Sequence, residues 1–64
     1  MDVATLAELL RETGERHHPY EQSAPEHNWF DWYAAYLNSR LEGSDPEEAS
    51  EAAGAYMEES LGAR

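Results

Sequence analysis

An all-α fold, a compact domain of three helices over about residues 2–16, 24–42 and 46–61 with no strands, is what this 64-residue sequence predicts. Apolar residues recur at three- and four-residue intervals in three stretches, and turns marked by proline and glycine separate them. Nowhere does the apolar/polar alternation of a half-buried strand appear. The chain reads as one small helical domain over 1–64, with 62–64 as a frayed tail.

In the first stretch Val3, Leu6, Leu9, Leu10 and Thr13 form the apolar side, opposite Glu8, Arg11, Glu12, Glu15 and Arg16. Glu12 and Arg16 are placed as a favourable i,i+4 pair. Gly14 weakens the last turn by about 1 kcal/mol relative to alanine, so the helix is expected to end between Gly14 and His18, ahead of a break at Pro19.

The second helix is expected to start at Ser23-Ala24-Pro25-Glu26, where a capping hydroxyl precedes a carboxylate by three residues and a proline sits in the first turn. It should run to about Glu42 and stop at Gly43. Five of the chain's seven aromatic residues fall between Trp29 and Tyr36. On a helix, Trp29, Phe30, Trp32, Tyr33, Tyr36, Leu37 and Leu41 span an arc of roughly 180°, wider than one neighbouring helix covers.

Asp45-Pro46-Glu47-Glu48 opens the third helix, with Asp45 as cap, Pro46 in the first position and Glu48 closing a capping box. Ala49, Ala52, Ala53, Tyr56, Met57 and Leu61 form its expected inner side, the small alanines admitting the bulk of helix 2. Gly62 ends it.

Size and composition limit what such a domain can do. A chain this short buries only about 60% of its unfolded surface, so it needs well-packed helices, self-association or a metal to hold together. There is no cysteine, which excludes disulfides and thiolate metal sites and fits a reducing cytoplasm. A formal charge of −10 argues against nucleic-acid binding, which needs Lys and Arg against phosphate. No apolar run is long enough for a membrane span and no leader is evident. A soluble cytoplasmic protein is expected.

Two groups of residues can carry chemistry. His17 and His18 close helix 1, while His27 and Asp31 lie i,i+4 at the start of helix 2. With Glu21 they form a candidate site for Zn²⁺ or another divalent transition metal; otherwise no cofactor is expected. The alternative is that the histidines are exposed, capping or hydrogen-bonded at the turn. Asp31 and Glu26 offer a carboxylate pair, but Ser23, Ser39, Ser44, Ser50 and Ser60 lack a base, and no oxyanion hole or phosphate loop is present. Asp31 is more simply an acceptor for Tyr20, the turn or an indole N–H. Catalysis is not expected.

The stretches His17-His18-Pro19-Tyr20-Glu21 and Pro25-Glu26-His27-Asn28-Trp29-Phe30-Asp31-Trp32-Tyr33-Ala34-Ala35-Tyr36-Leu37 stand with Ser39-Arg40, Gly43, Pro46-Glu47-Glu48-Ala49 and Tyr56-Met57. Together they resemble a small helical module of actinobacterial proteins. That module occurs alone or as a C-terminal extension of proteins similar to the glyoxalase and bleomycin-resistance superfamily. The resemblance spans nearly the whole chain and implies an accessory domain without an activity of its own. None of the superfamily's metal ligands carries over, because its β-rich fold is absent, and Phe30 stands where the module often has tryptophan.

The leading expectation is therefore an acidic accessory or interaction domain. It would associate through Trp29, Phe30, Trp32, Tyr33, Tyr36 and Leu37, as a homodimer or with a partner protein domain. The alternative is a small metal- or ligand-binding protein using His17, His18, Glu21, His27 and Asp31. A third reading, an aromatic pocket around Trp29 and Trp32 for a flat hydrophobic compound, follows only from the drug-resistance kinship.

Overall fold

The computed structural model describes residues 2–24 and 27–62, which form three helices: α1 (Val3–Ser23), α2 (Trp29–Leu41) and α3 (Pro46–Gly62). No strand occurs among the described residues, so the all-α, three-helix expectation holds. None of these helices is long and apolar enough to cross a membrane.

The chain termini of the helices follow local chemistry. Asp2 caps α1, its Oδ1 accepting from the Thr5 N–H at 3.0 Å, and hydrogen bonding to the Thr5 side chain and then to its backbone N–H holds the Asp2 carboxyl below the usual range. At α3 the capping box forms as expected: the Glu48 N–H donates to Asp45 Oδ1 at 2.8 Å, and the Asp45 N–H donates to Glu48 Oε1 at 3.0 Å. Gly43, at φ 107°, turns the chain out of α2. Its N–H donates to the Arg40 carbonyl at 3.0 Å and the Ser44 N–H to the Ser39 carbonyl at 3.1 Å, the paired bonds of a Schellman stop. The expected tail residues Ala63 and Arg64 lie outside the described residues.

Two expected boundaries are corrected. α1 does not end near Gly14 to His18 but continues through Pro19 to Ser23. A proline inside a helix removes one N–H donor, here the bond to the Glu15 carbonyl, and does not forbid the following turn. Continuation keeps His17 and Tyr20 on one face of a single helix, where both meet Trp32. Ser23 is consequently the last residue of α1, not the cap of α2, and its hydroxyl donates to the Tyr20 carbonyl. Pro25 and Glu26 of the expected capping signal lie outside the described residues. α2 begins at Trp29, with Asn28 as N-cap and Asp31 supplying the acidic first turn.

The core is almost entirely the α2–α3 seam. Trp32, Tyr36, Ala49, Ala53 and Met57 are buried. Trp32 and Tyr36 stack with ring centres 5.3 Å apart and planes at 14°, and Ala49, Ala53 and Met57 repeat every four residues, the small side chains admitting those rings. Ala52 and Tyr56, expected to face inward, are exposed instead, because the seam takes only this narrow four-residue row. The side chain of Leu61 lies outside the described part.

α1 adds only Thr13 and His17 to the buried set, both polar. The Thr13 hydroxyl is satisfied by donating to the Leu9 carbonyl at 2.6 Å. Val3, Leu6 and Leu10, expected to be internal, are exposed, and Leu9 is half-buried. Leu6 and Leu10 share the helical face of Thr13 and His17, at i, i+4, i+7 and i+11, so their exposure comes from their place along α1, ahead of Glu12, which is fixed opposite Arg40 one residue from the end of α2. Glu12 Oε2 accepts from the Tyr36 hydroxyl and from Arg40 Nε at 2.7 Å, and Arg40 Nη2 reaches Glu12 Oε1 at 3.3 Å. Arg40 Nη1 also donates to the Ser44 carbonyl at 2.9 Å, tying the clasp to the α2–α3 turn. This clasp anchors α1 beside α2 at the level of Glu12, one turn before His17 meets Trp32 and Tyr33. Glu12 thus takes Arg40 in place of Arg16, while Arg11 pairs with Glu8 and Glu15 in exposed contacts that contribute little.

Candidate functional site

Two features compete for a functional reading: a polar and aromatic corner where α1 meets the start of α2, and an apolar surface on the outside of those helices.

At the corner, His17 is buried among rings. Its centre lies 5.2 Å from Trp32, 5.3 Å from Tyr33, 6.2 Å from Tyr20 and 5.2 Å from His27. The Nε2 atoms of His17 and His27 are 3.0 Å apart, so one nitrogen donates to the other and the pair shares a single proton along that line. Burial is the main cause that lowers the His17 pKa; the positive forms of His27 and His18 oppose protonation as well, against the Glu21 carboxylate, which favours it. Tyr20 packs on both His27 and Trp32, and its hydroxyl pKa is raised by burial and by the charge of Glu58 on α3. The indole N–H of Trp32 is buried without an acceptor, so no partner of it, Asp31 included, comes from the described residues.

The five residues expected to form a cluster are separated into parts. His17 and His27 are brought together, and Glu21 follows His17 by one turn on the exposed side of α1. His18 points elsewhere, its Nε2 3.2 Å from Gln22 Nε2. Asp31 is half-buried in a shallow groove between α2 and α3 beside Ala35, Asn38, Ala52 and Tyr56. Among the described residues no three His, Asp or Glu side chains converge as a ready metal cage.

The aromatic stretch also divides. Trp32 and Tyr36 are committed to the core, and Tyr36 is further fixed by its bond to Glu12; burial, then that bond, pushes its pKa up to about 12. Tyr33 and Leu37 are half-buried. Trp29 and Phe30 remain 59% and 53% exposed, packed edge-to-face on each other at 5.7 Å. On α1, Val3, Leu6 and Leu10 stand on one stripe at i, i+3 and i+7, and Gly14 is next along it. Gly14 lies so close under Tyr33 that a Cβ there would sit 3.0 Å from the Tyr33 hydroxyl. Tyr33 in turn meets Trp29 at 5.0 Å. The apolar stripe of α1 therefore continues through Gly14 and Tyr33 onto Trp29 and Phe30.

Sequence reasoning missed the Glu12–Tyr36–Arg40 clasp. Its one local signal is the i,i+4 spacing of Tyr36 and Arg40, which puts a hydroxyl and a guanidinium on the same side of α2. Comparisons of the chain with protein-family models, with curated proteins and with solved structures each gave no match.

Proposed function

We propose that the protein is an interaction module that docks a partner protein on the surface formed by Val3, Leu6 and Leu10 of α1 and by Trp29, Phe30 and Tyr33 of α2. The observation that carries this is the exposure of Trp29 and Phe30 at the end of an apolar stripe; of the other aromatic rings only Tyr56, on α3, is exposed. Contiguous apolar surface on a soluble domain marks a binding site, and tryptophan is the side chain most enriched among residues that dominate interface energy.

The charge of the chain bears on what that surface takes. At −10 a second copy is repelled before contact, whereas a positively charged amphipathic helix is drawn in. The partner in this reading is a basic helix of another protein, laid across the apolar stripe. The resemblance to an actinobacterial accessory module agrees with a docking role and with no catalysis by the isolated chain. A cysteine-free composition suits work inside the cytoplasm.

The experiment is a pair of measurements. Light scattering after size exclusion gives the oligomeric state, expected to be a monomer. Titration with a lysine- and leucine-built amphipathic helical peptide, followed by Trp29 fluorescence, is expected to saturate, and Phe30→Ser or Leu10→Ser to abolish it. A stable dimer dissociated by Phe30→Ser would replace the basic helix with a second copy, and binding indifferent to both substitutions would remove the surface from consideration.

A further inference from the structure

We propose that His17 and His27, with Glu21 as third ligand, bind a divalent transition-metal ion of the Zn²⁺ class and so staple α1 to the start of α2. This goes beyond the docking surface and does not depend on it.

The geometry begins with the two Nε2 atoms, 3.0 Å apart. Two nitrogens bound to one tetrahedral Zn²⁺ at 2.0–2.1 Å stand about 3.3 Å apart, close to the separation here, and an ion replacing the shared proton asks the two rings to tilt so that both Nε2 lone pairs meet at one point beside the line joining them. His27 is placed to give that tilt, since it precedes α2 and its backbone lies outside any helix. His17 is held by Tyr20, Trp32 and Tyr33 around it, so the chelate is half built before an ion arrives.

Glu21 supplies what the pair lacks. It stands four residues after His17 on the same helix, the spacing that brings two side chains over one another. Its side chain is exposed and not held in the interior. Two imidazoles and one carboxylate form a donor set that Zn²⁺ accepts with a water in the fourth position. The surrounding charge of −10 attracts the ion. Such a staple also answers the need of a short cysteine-free domain, whose α1 is joined to the rest through few apolar contacts.

The test uses the tag-free full chain with ZnCl₂ and, separately, NiCl₂. Calorimetry is expected to give one equivalent, and the imidazole ¹⁵N resonances of His17 and His27 to move together at Nε2 while those of His18 stay in place. His27→Gln, a half-buried site whose fold is checked by circular dichroism, is expected to weaken binding by more than about tenfold, a loss that even an outer-shell partner can produce. Glu21→Gln is expected to weaken it severalfold, and His18→Gln and Asp31→Asn to leave it unchanged. Absence of heat and of resonance shifts, binding that survives His27→Gln or Glu21→Gln unaltered, or binding lost in His18→Gln would each overturn the site.

Discussion

Gly14 is the position at which a single methyl group separates two physical effects. In the middle of α1, replacing glycine by alanine removes the backbone entropy penalty and on that ground stabilises the helix by about 1 kcal/mol. The added Cβ, however, would lie 3.0 Å from the Tyr33 hydroxyl, closer than side chains normally tolerate, so the Tyr33 ring must give way. Tyr33 is half-buried against His17, Trp29 and Trp32, and forcing such a ring aside costs about 1–3 kcal/mol. Taking about 2 kcal/mol for that cost, Gly14→Ala is expected to destabilise the protein by about 1 kcal/mol, a fall in Tm of roughly 4–8 °C for a domain of this size. In a Tyr33→Phe background the obstructing oxygen is gone, and the same substitution is expected to raise Tm by a similar amount. The cycle of four proteins, followed by circular dichroism during thermal unfolding, should yield a coupling of about 2 kcal/mol. An equal gain from Gly14→Ala in both backgrounds would mean that Tyr33 does not rest on Gly14, and the continuity of the apolar surface across that point would fail with it.

The acid limb of stability should report the clasp. The Arg40 hydrogen bond, helped by the Tyr36 hydroxyl and the Arg40 charge, holds the Glu12 carboxyl below its usual range. A lowered folded pKa contributes stability that is present above the unfolded value of about 4.3 and is lost as pH falls through the folded value. Glu12→Gln should therefore lower the urea midpoint at pH 7 and flatten its decline below pH 5, and an unchanged decline would refute the assignment. Met57→Ala, at a fully enclosed site, should cost about 2–5 kcal/mol and leave little folded protein by circular dichroism at 25 °C. Phe30→Ser, on the surface, should change stability by no more than about 0.5 kcal/mol while removing peptide binding.

What was legible in the sequence was local. The capping box of Asp45 and Glu48 closes over three residues and the stop at Gly43 over five, so both could be read from neighbours alone. Pro19 misleads for the same reason. Its rule describes the lost hydrogen bond, whereas the gain that outweighs it, His17 and Tyr20 packing on Trp32, involves residues 12 to 15 positions further on. The apolar periodicity of α1 was present, and its face does include the buried Thr13 and His17, but periodicity gives a stripe and not the length of it that is covered. That length is set by where Glu12 meets Tyr36 and Arg40, 24 and 28 positions away and near the end of α2, with Leu6 and Leu10 lying before that point and exposed. The candidate cluster likewise reduced to the one pair whose partners, ten positions apart, meet across the corner, while Asp31 turned with α2 toward α3.

The two seams of this domain are made from different materials. α2 and α3 are joined by close-packed rings and small aliphatic groups, whereas α1 is keyed to them by an ion pair, hydrogen bonds and two imidazoles. A helix held chiefly at Glu12, His17 and Tyr20 leaves Val3, Leu6 and Leu10 outside the packed interior. Substitutions at Val3, Leu6, Leu10, Trp29 and Phe30 can accumulate without disturbing the tryptophan–tyrosine stack or the alanine row beneath it. If this surface docks a partner as proposed, heritable variation in what it binds is separated from variation in whether the domain folds.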